Sequence, residues 1–495
     1  MSYGTDLQKR LFYAAPLFLK NLASSVYGWR EARVRHGRYY ARHFELAQRS
    51  QRMSNDELAA IAFVRTREFL TVAGVKSPFF HEQFKQRGFV PEHLSSLADL
   101  KRLPILDKET FRANQADISL PGRECGPVHW VSSSGTTGLG MRFPETIECF
   151  QREYAYRFEN YSQAGVQLGN RWVICAGHPV AAPERMRPPF WVHDWVNRWC
   201  LMSSNHLSEA NLPAYVAELA RFDPVLVGGY PSSVYLLALA NQKAGCPLRP
   251  KAVFTSSETL MDFQRVAIEA SFGCRPRSYY GNAERCAFIA ECEHGLFHVR
   301  EEHSFVELLD DDGRDALPGQ SGRLVCTGFG NWATPLIRYE VGDIGIRSLR
   351  SHCPCGRSGL LLDAVLGRMD DYVVTPDGRY VGRLDHLFKD ATRVKMAQLF
   401  QDSPQRLVIR VVREPGYEAS DEAGILREAR LRLGDRIEIC FEYVSEIERT
   451  KAGKFRFIVS RLSNREMFGR RLPSVDGSVA GEPVHHLPIS ADRRE

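Results

Sequence analysis

Between about Cys125 and Ile346, short apolar runs with strand character alternate with stretches of helical periodicity, and this alternation constrains the fold more than any other feature. Arg171 to Ala176, Val225 to Gly228, Ala252 to Thr255 and Arg323 to Cys326 read as strands. Strands separated by helices imply an α/β fold with an at least partly parallel sheet, and ligands of such sheets gather in the loops at the carboxyl ends of the strands.

On either side the rhythm changes. Residues 1–110 read as a helical start: Leu7 to Ala23 has apolar residues at helical spacing, and Asn55 to Val72 repeats the pattern after a Ser54 cap. The Arg-rich stretch from Arg30 to Arg42 suits a solvated helix face or a weak peripheral contact with anionic lipid. After Gly367, Arg406 to Val412 alternates as a strand, Ala423 to Leu433 is helical and closed by Gly434, and Ile437 to Val444 alternates again. A chain of 495 residues exceeds what one core organises. The expected layout is a large N-terminal domain over 1–367, a small α+β domain over 368–470, and a tail over 471–495 whose Gly, Pro, Ser and charge content predicts disorder.

With 44% hydrophobic and 25% charged residues the composition is that of a globular protein, and the net charge of +6 is spread thinly, which argues against a nucleic-acid partner. No apolar run reaches the ~18 to 20 residues of a transmembrane helix, and the N-terminus has no signal-type apolar stretch, so a cytoplasmic location is expected. Most of the twelve cysteines are isolated, as reduced buried thiols are.

The segment Ser132-Ser133-Ser134-Gly135-Thr136-Thr137-Gly138 offers backbone amides and hydroxyls to an anion, which is what a polyphosphate needs. It is not a Walker A loop, because no Gly-Lys-Ser/Thr follows. Four further segments come in order: Tyr280-Gly281-Asn282-Ala283-Glu284, Pro335 through Arg338-Tyr339-Glu340-Val341-Gly342-Asp343, Gly367-Arg368-Met369-Asp370-Asp371, and Lys451-Ala452-Gly453-Lys454-Phe455-Arg456. Together they resemble the signatures of the acyl-adenylate-forming, or AMP-binding, superfamily over more than three hundred residues. Leu103 to Glu109 and Cys353-Pro354-Cys355-Gly356-Arg357 resemble its phenylacetate-CoA ligase family, and Gly378 to Arg383 the capsular-polysaccharide-biosynthesis branch.

The resemblance implies an ATP-dependent ligase that activates a carboxylic acid, aryl or arylacetic, through acyl-AMP and passes it to CoA or to an amine or hydroxyl of a sugar or metabolite. It assigns the phosphates to Ser133, Ser134, Gly135, Thr136, Thr137 and Gly138, and the nucleotide also to Ser257, Glu258, Tyr280, Gly281 and Arg357. Asp343 has two oxygens for the ribose hydroxyls, and Glu284 is an oxygen ligand suited to Mg²⁺. Arg338 either neutralises phosphate or braces the sheet edge. Asp370 is the hinge of a mobile C-terminal domain, and Lys454 the lysine that stabilises charge as carboxylate attacks the α-phosphorus. Ala283 replaces a usual Thr or Ser, Leu139 a usual Lys, and Gly382 and Arg383 a usual Pro. These departures bear on the acceptor, and they keep open a nucleotide-binding protein without ligase activity. Tyr230, Tyr279, Phe288 and Trp332 belong either to the acid pocket or to the core. Finally, Cys292, His298, Cys353 and Cys355 have the chemistry of a structural Zn²⁺ site, with His294, Cys286 or His352 as substitutes and a reduced unliganded cluster as the alternative.

Overall fold

A computed structural model describes residues 6–120, 128–132, 142–182, 185–207, 210–260, 262–310, 312–366, 373–376, 380–381, 384–388, 393–447 and 457–462. It opens with helices α1 (Asp6–Ala14), α2 (Leu17–Arg35), α3 (Tyr40–Ser50), α4 (Asn55–Lys76) and α5 (Pro78–Arg87). The single helix expected over Leu7 to Ala23 is two, because Pro16 lacks an N–H, restricts Ala15 and becomes the N-cap of α2. The start of α4 is where Ser54 predicts it. Ser54 Oγ accepts from the Glu57 N–H, and the Glu57 carboxylate accepts from the Ser54 N–H.

Short helices α6 (Lys108–Ala113) and α7 (Gln115–Ile118) precede an antiparallel hairpin of β1 (Val128–Ser132) and β2 (Arg142–Thr146), then α8 (Ile147–Ser162). The central sheet has twelve strands. In chain order these are β3 (Trp172–Ala176), β4 (Trp191–Asp194), β5 (Trp199–Ser203), β6 (Leu226–Gly229), β7 (Ala252–Ser256) and β8 (Arg277–Gly281), followed by β9 (Phe288–Glu291), β10 (Phe297–Val299), β11 (Ser304–Leu309), β12 (Ser321–Gly328), β13 (Leu336–Arg347) and β14 (Leu361–Leu366). Their spatial order is β11-β12-β13-β14-β10-β9-β8-β7-β6-β3-β5-β4. From β5 to β8 neighbouring strands are parallel, and the rest of the sheet is antiparallel. Helices α9 (Leu212–Phe222), α10 (Pro231–Lys243) and α11 (Asp262–Phe272) make the crossovers that the parallel strands need. Four expected strands therefore exist as β3, β6, β7 and part of β12, and the expected mixed α/β class is the observed one.

Three large apolar clusters hold this body, one between the parallel strands and α9 to α11, one beneath α8, and one joining α4 and α5 to the antiparallel strands, with a small fourth around Leu296 and Leu361. Tyr279 and Phe288 are stacked in the cluster under α8, with ring centroids 5.7 Å apart, and Trp332 packs on Phe69 at 5.1 Å.

A separate four-stranded sheet of order β19-β18-β17-β20 is formed by β17 (Val394–Ser403), β18 (Arg406–Arg413), β19 (Glu438–Tyr443) and β20 (Ile458–Ser460), with a small ladder of β15 (Val373–Val374) and β16 (Tyr380–Val381). Helix α12 (Ala419–Leu433) begins four residues before the expected Ala423, and ends on Gly434 at φ +83°. This sheet has its own core, centred on Leu399, Leu407, Ile409 and Ile425. Ser133 to Gly138, Leu139, the hinge segment with Asp370, Gly378, Arg379, Gly382, Arg383, the segment with Lys451 and Lys454, and the tail lie outside the described residues.

Candidate active site

The two ends of the Ser/Gly/Thr loop are anchored where the hairpin brings Ser132 opposite Arg142. The hairpin is in turn tied down from below. Asn331 Nδ2 and Thr334 Oγ1 both donate to the Pro144 carbonyl, and the Thr146 N–H donates to Asn331 Oδ1. Glu145, fully buried, pairs with His129 at 2.7 Å and with Arg285 at 3.3 Å. Burial works to raise the Glu145 carboxyl, but Arg285 and His129 outweigh it and hold the group below its ordinary value of 4.5.

Arg285 directly follows Glu284, so this ion pair joins the root of the loop to the motif at the end of β8. Glu284 is buried and accepts a hydrogen bond from the Tyr339 hydroxyl at 3.1 Å. Beside it, the Tyr280 hydroxyl donates to Asp343 Oδ2 at 2.6 Å. Burial, then the nearby Asp343 charge, pushes the Tyr280 phenol well above its usual value, which keeps it a donor. Two carboxylates, one from the loop after β8 and one from β13, are thus each oriented by a tyrosine. Lys108 Nζ donates to the Val341 carbonyl at 2.5 Å, two residues before Asp343, and so fixes the strand that carries it.

The backbone is strained around these groups. Ser257, Arg285 and Arg338 have φ of +71°, +55° and +48°, values that side-chain-bearing residues rarely adopt. Ser257 and Glu258 leave the carboxyl end of β7, and Glu258 accepts from the Ser232 N–H and Oγ, both at 3.1 Å, at the start of α10.

Other expected site residues are engaged elsewhere. Arg338 is buried and bidentate on Glu307, at 2.9 Å for each contact, and donates to the Leu103 carbonyl. These contacts tie β13 to β11 and to the chain at Leu103. Arg357 pairs with Glu293 at 2.7 Å. That contact adjoins a cluster of Cys292, His298, Cys353 and Cys355, whose ligand atoms all lie within 4.8 Å of one another. Cys292 Sγ is 3.5 Å from Cys353 Sγ, and Cys355 Sγ is 3.4 Å from His298 Nε2. His298 Nδ1 faces the Ser358 carbonyl at 3.4 Å, which leaves Nε2 as the ring nitrogen turned toward the thiols. Of the substitutes, the His294 N–H donates to Cys292 Sγ, whereas Cys286 accepts from Asn282. The eleven described cysteines are all unbridged.

Arg285 and Glu145 are the site residues that sequence reasoning misses. No spacing rule connects two residues 140 positions apart, although the adjacency of Arg285 to Glu284 is a signal in hindsight.

Comparison with known proteins bears on the same architecture. Residues 373–461 match the CapK C-terminal domain. Protein CapK of Staphylococcus aureus is 24% identical over 462 residues, covering 91% of this chain and 99% of CapK. This chain resembles the phenylacetate-CoA ligase family on its CapK side. Phenylacetate-coenzyme A ligases of Thermus thermophilus and Escherichia coli are 24% and 25% identical, each match covering 65% of this chain and 73% of the ligase. Among solved structures, a 2-hydroxyisobutyryl-CoA ligase in the postadenylation state superposes with a TM-score of 0.54 at 20% identity, over 83% of this chain and 91% of that one. The fold is that of the adenylate-forming ligases.

Proposed function

We propose that the protein uses ATP to convert a carboxylic acid to acyl-AMP and pyrophosphate, and then passes the acyl group to a nucleophile. The observation that best supports this is the pair of tyrosine-oriented carboxylates, Asp343 and Glu284, beside the root of the Ser/Gly/Thr loop. In this reading the loop from Ser133 to Gly138 binds the phosphates, Asp343 accepts the ribose hydroxyls, and Ser257, Glu258, Tyr280 and Gly281 border the nucleotide. Glu284, a buried carboxylate with one tyrosine donor, fits Mg²⁺, which neutralises phosphate charge. The acid's oxygen attacks the α-phosphorus as the bond to pyrophosphate breaks, with Lys454 stabilising the charge that develops; the chain's contribution is positioning and electrostatics. Arg338 and Arg357 act here as positioning residues, through Glu307 and Glu293.

The acid is of the aryl or arylacetic class. The acceptor is CoA, or an amine or hydroxyl of a sugar or metabolite. Residues 373–461 match the CapK C-terminal domain, and the CapK match covers 91% of the chain against 65% for the phenylacetate-coenzyme A ligase of Thermus thermophilus, which supports an acceptor chosen by the CapK-like domain. A structural Zn²⁺ on Cys292, His298, Cys353 and Cys355 belongs to the same reading, since a closed set of three sulfurs and one imidazole matches its preferred ligands.

The deciding measurement is acid-dependent pyrophosphate release across aryl, arylacetic and aliphatic acids, with CoA or hydroxylamine as nucleophile. Release with at least one acid is expected. ATP binding without release for any acid would leave a nucleotide-binding protein without ligase activity.

A further inference from the structure

Helix α2 is inside out. Its buried positions are polar or small: Lys20, Asn21, Ser25, Gly28 and Arg35. Phe18, Leu22, Val26 and Trp29, spaced four, four and three residues apart along one stripe, are 65%, 44%, 59% and 48% exposed. The orientation is fixed by the polar face. Asn21 Oδ1 accepts from the His193 N–H and Ser25 Oγ from the Trp195 N–H, both at 2.9 Å. At Gly28 a Cβ would lie 1.8 Å from the Asp194 carboxylate, so the helix sits closer to β4 than any larger residue allows. Trp195, in the turn after β4, continues the stripe, with its ring 5.6 Å from that of Phe18, and Val196 and Leu11 are exposed as well. An outward apolar face of this size costs solubility, and the described residues leave it uncovered.

The charge around it is one-sided. Residues 8–42 contain eight lysines and arginines against one acid, Glu31, and Glu31 is paired with Arg35 at 3.4 Å. Arg33 lies over the Trp29 ring at 4.3 Å. At the base of α2 a cavity of about 200 Å³ is lined by Lys20, Arg185 and Trp191, with no carboxylate among its described lining residues. Lys20 is 5% exposed and its Nζ lies 5.8 Å from the centre of the Phe12 ring. Burial, then the charge of Arg185, draws its pKa down.

We propose that this face docks the protein on an anionic phospholipid surface, with the stripe from Phe18 to Trp29 at the acyl boundary and the exposed arginines of the rim on headgroups. No described helix is long and apolar enough to cross a membrane, so the contact is interfacial. A second copy is the less suited occupant. A two-fold interface would lay this basic rim against itself.

The test is cosedimentation of the full-length protein with extruded vesicles of equal phosphatidylglycerol and phosphatidylcholine, against pure phosphatidylcholine, at low and high salt. Binding to the anionic vesicles only, weakened by salt and accompanied by a blue shift of tryptophan emission, is expected. Removing two rim charges, Arg30→Gln with Arg33→Gln, should weaken binding about 30-fold, at ~1 kcal/mol per charge. Leu22→Ser with Val26→Ser should weaken it at least about tenfold. Both double variants, being at exposed positions, should keep the wild-type unfolding temperature to within a few degrees. Inorganic phosphate at millimolar concentration should not compete, because it lacks the apolar contact. Absence of binding to anionic vesicles, equal binding to pure phosphatidylcholine, or binding indifferent to the Leu22/Val26 change would overturn the proposal. So would concentration-dependent dimerisation, by light scattering, that the Leu22/Val26 change abolishes, since the face would then belong to a second copy.

Discussion

Arg338 and Glu307 show how one ion pair can stand behind a site without facing it. Both are almost fully buried, and Arg338 spends its other donors on carbonyls of the Leu103 segment. Arg338→Met strands the Glu307 charge and should cost about 3 to 5 kcal/mol in denaturant unfolding, whereas Arg338→Met with Glu307→Met should recover most of that loss. If the arginine only braces β13, pyrophosphate release recovers in the double variant along with stability; continued failure there would give Arg338 a direct part in catalysis. Glu145 makes a second case, with a pH signature. Its carboxyl is depressed in the folded state, so its contribution to stability is complete above the unfolded value near 4.5 and disappears as pH falls through the folded one. Glu145→Gln should therefore lower stability by a constant amount at neutral pH, and the gap to wild type should close below pH 4.5 in thermal melts. A gap that widened toward acid pH would mean the opposite shift.

At the scale of elements, the cysteine–histidine cluster ties the turn between β9 and β10 to the loop between β13 and β14, two segments of the antiparallel sheet sixty residues apart. If that tie is zinc, protein purified without added metal should carry close to one equivalent by elemental analysis. A strong chelator, or Cys353→Ser, should then lower the unfolding temperature by several degrees, since a metal closing so long a loop stabilises the folded state. Clearly substoichiometric metal in folded protein would leave a reduced thiol cluster instead. The strands β3, β6, β7 and β18 were legible in the sequence because each is a short apolar run whose pattern is local. The face of α2 was not. Its apolar residues have helical spacing, and spacing reports a stripe without saying which side the body of the protein takes; that is decided by Asn21, Ser25 and Gly28 meeting β4, about 170 residues away. The motifs that name Glu284 and Asp343 were local too, but the tyrosines and ion pairs that orient them join residues 55 to 140 positions apart.

Across the whole molecule, the described nucleotide-side groups, Ser257, Glu258, Tyr280, Glu284 and Asp343, all lie on the twelve-stranded sheet or its loops, while the four-stranded sheet after residue 372 has a core of its own. Lys454, outside the described residues, falls between β19 and β20 of that second sheet in the sequence. Under the proposed function, a lysine that the sequence places between two strands of this second sheet acts only when the two parts close, with Asp370, by the resemblance, as the pivot. Lys454→Ala should therefore slow acid-dependent pyrophosphate release by ~10²- to 10³-fold, or about 3 to 4 kcal/mol, the usual loss when a transition-state charge stabiliser is removed. ATP affinity should hardly change, and stability should move by only about half a kcal/mol, the usual size when no packing is lost. Transfer from synthetic acyl-AMP should suffer much less, because under the proposed function that half-reaction runs with the second domain turned away from the phosphates. Measured side by side, an unchanged first rate would remove the role of Lys454 and leave Lys451 or no C-terminal lysine. Equal loss in both half-reactions would instead mean that the lysine serves both, and that no rotation about Asp370 separates them.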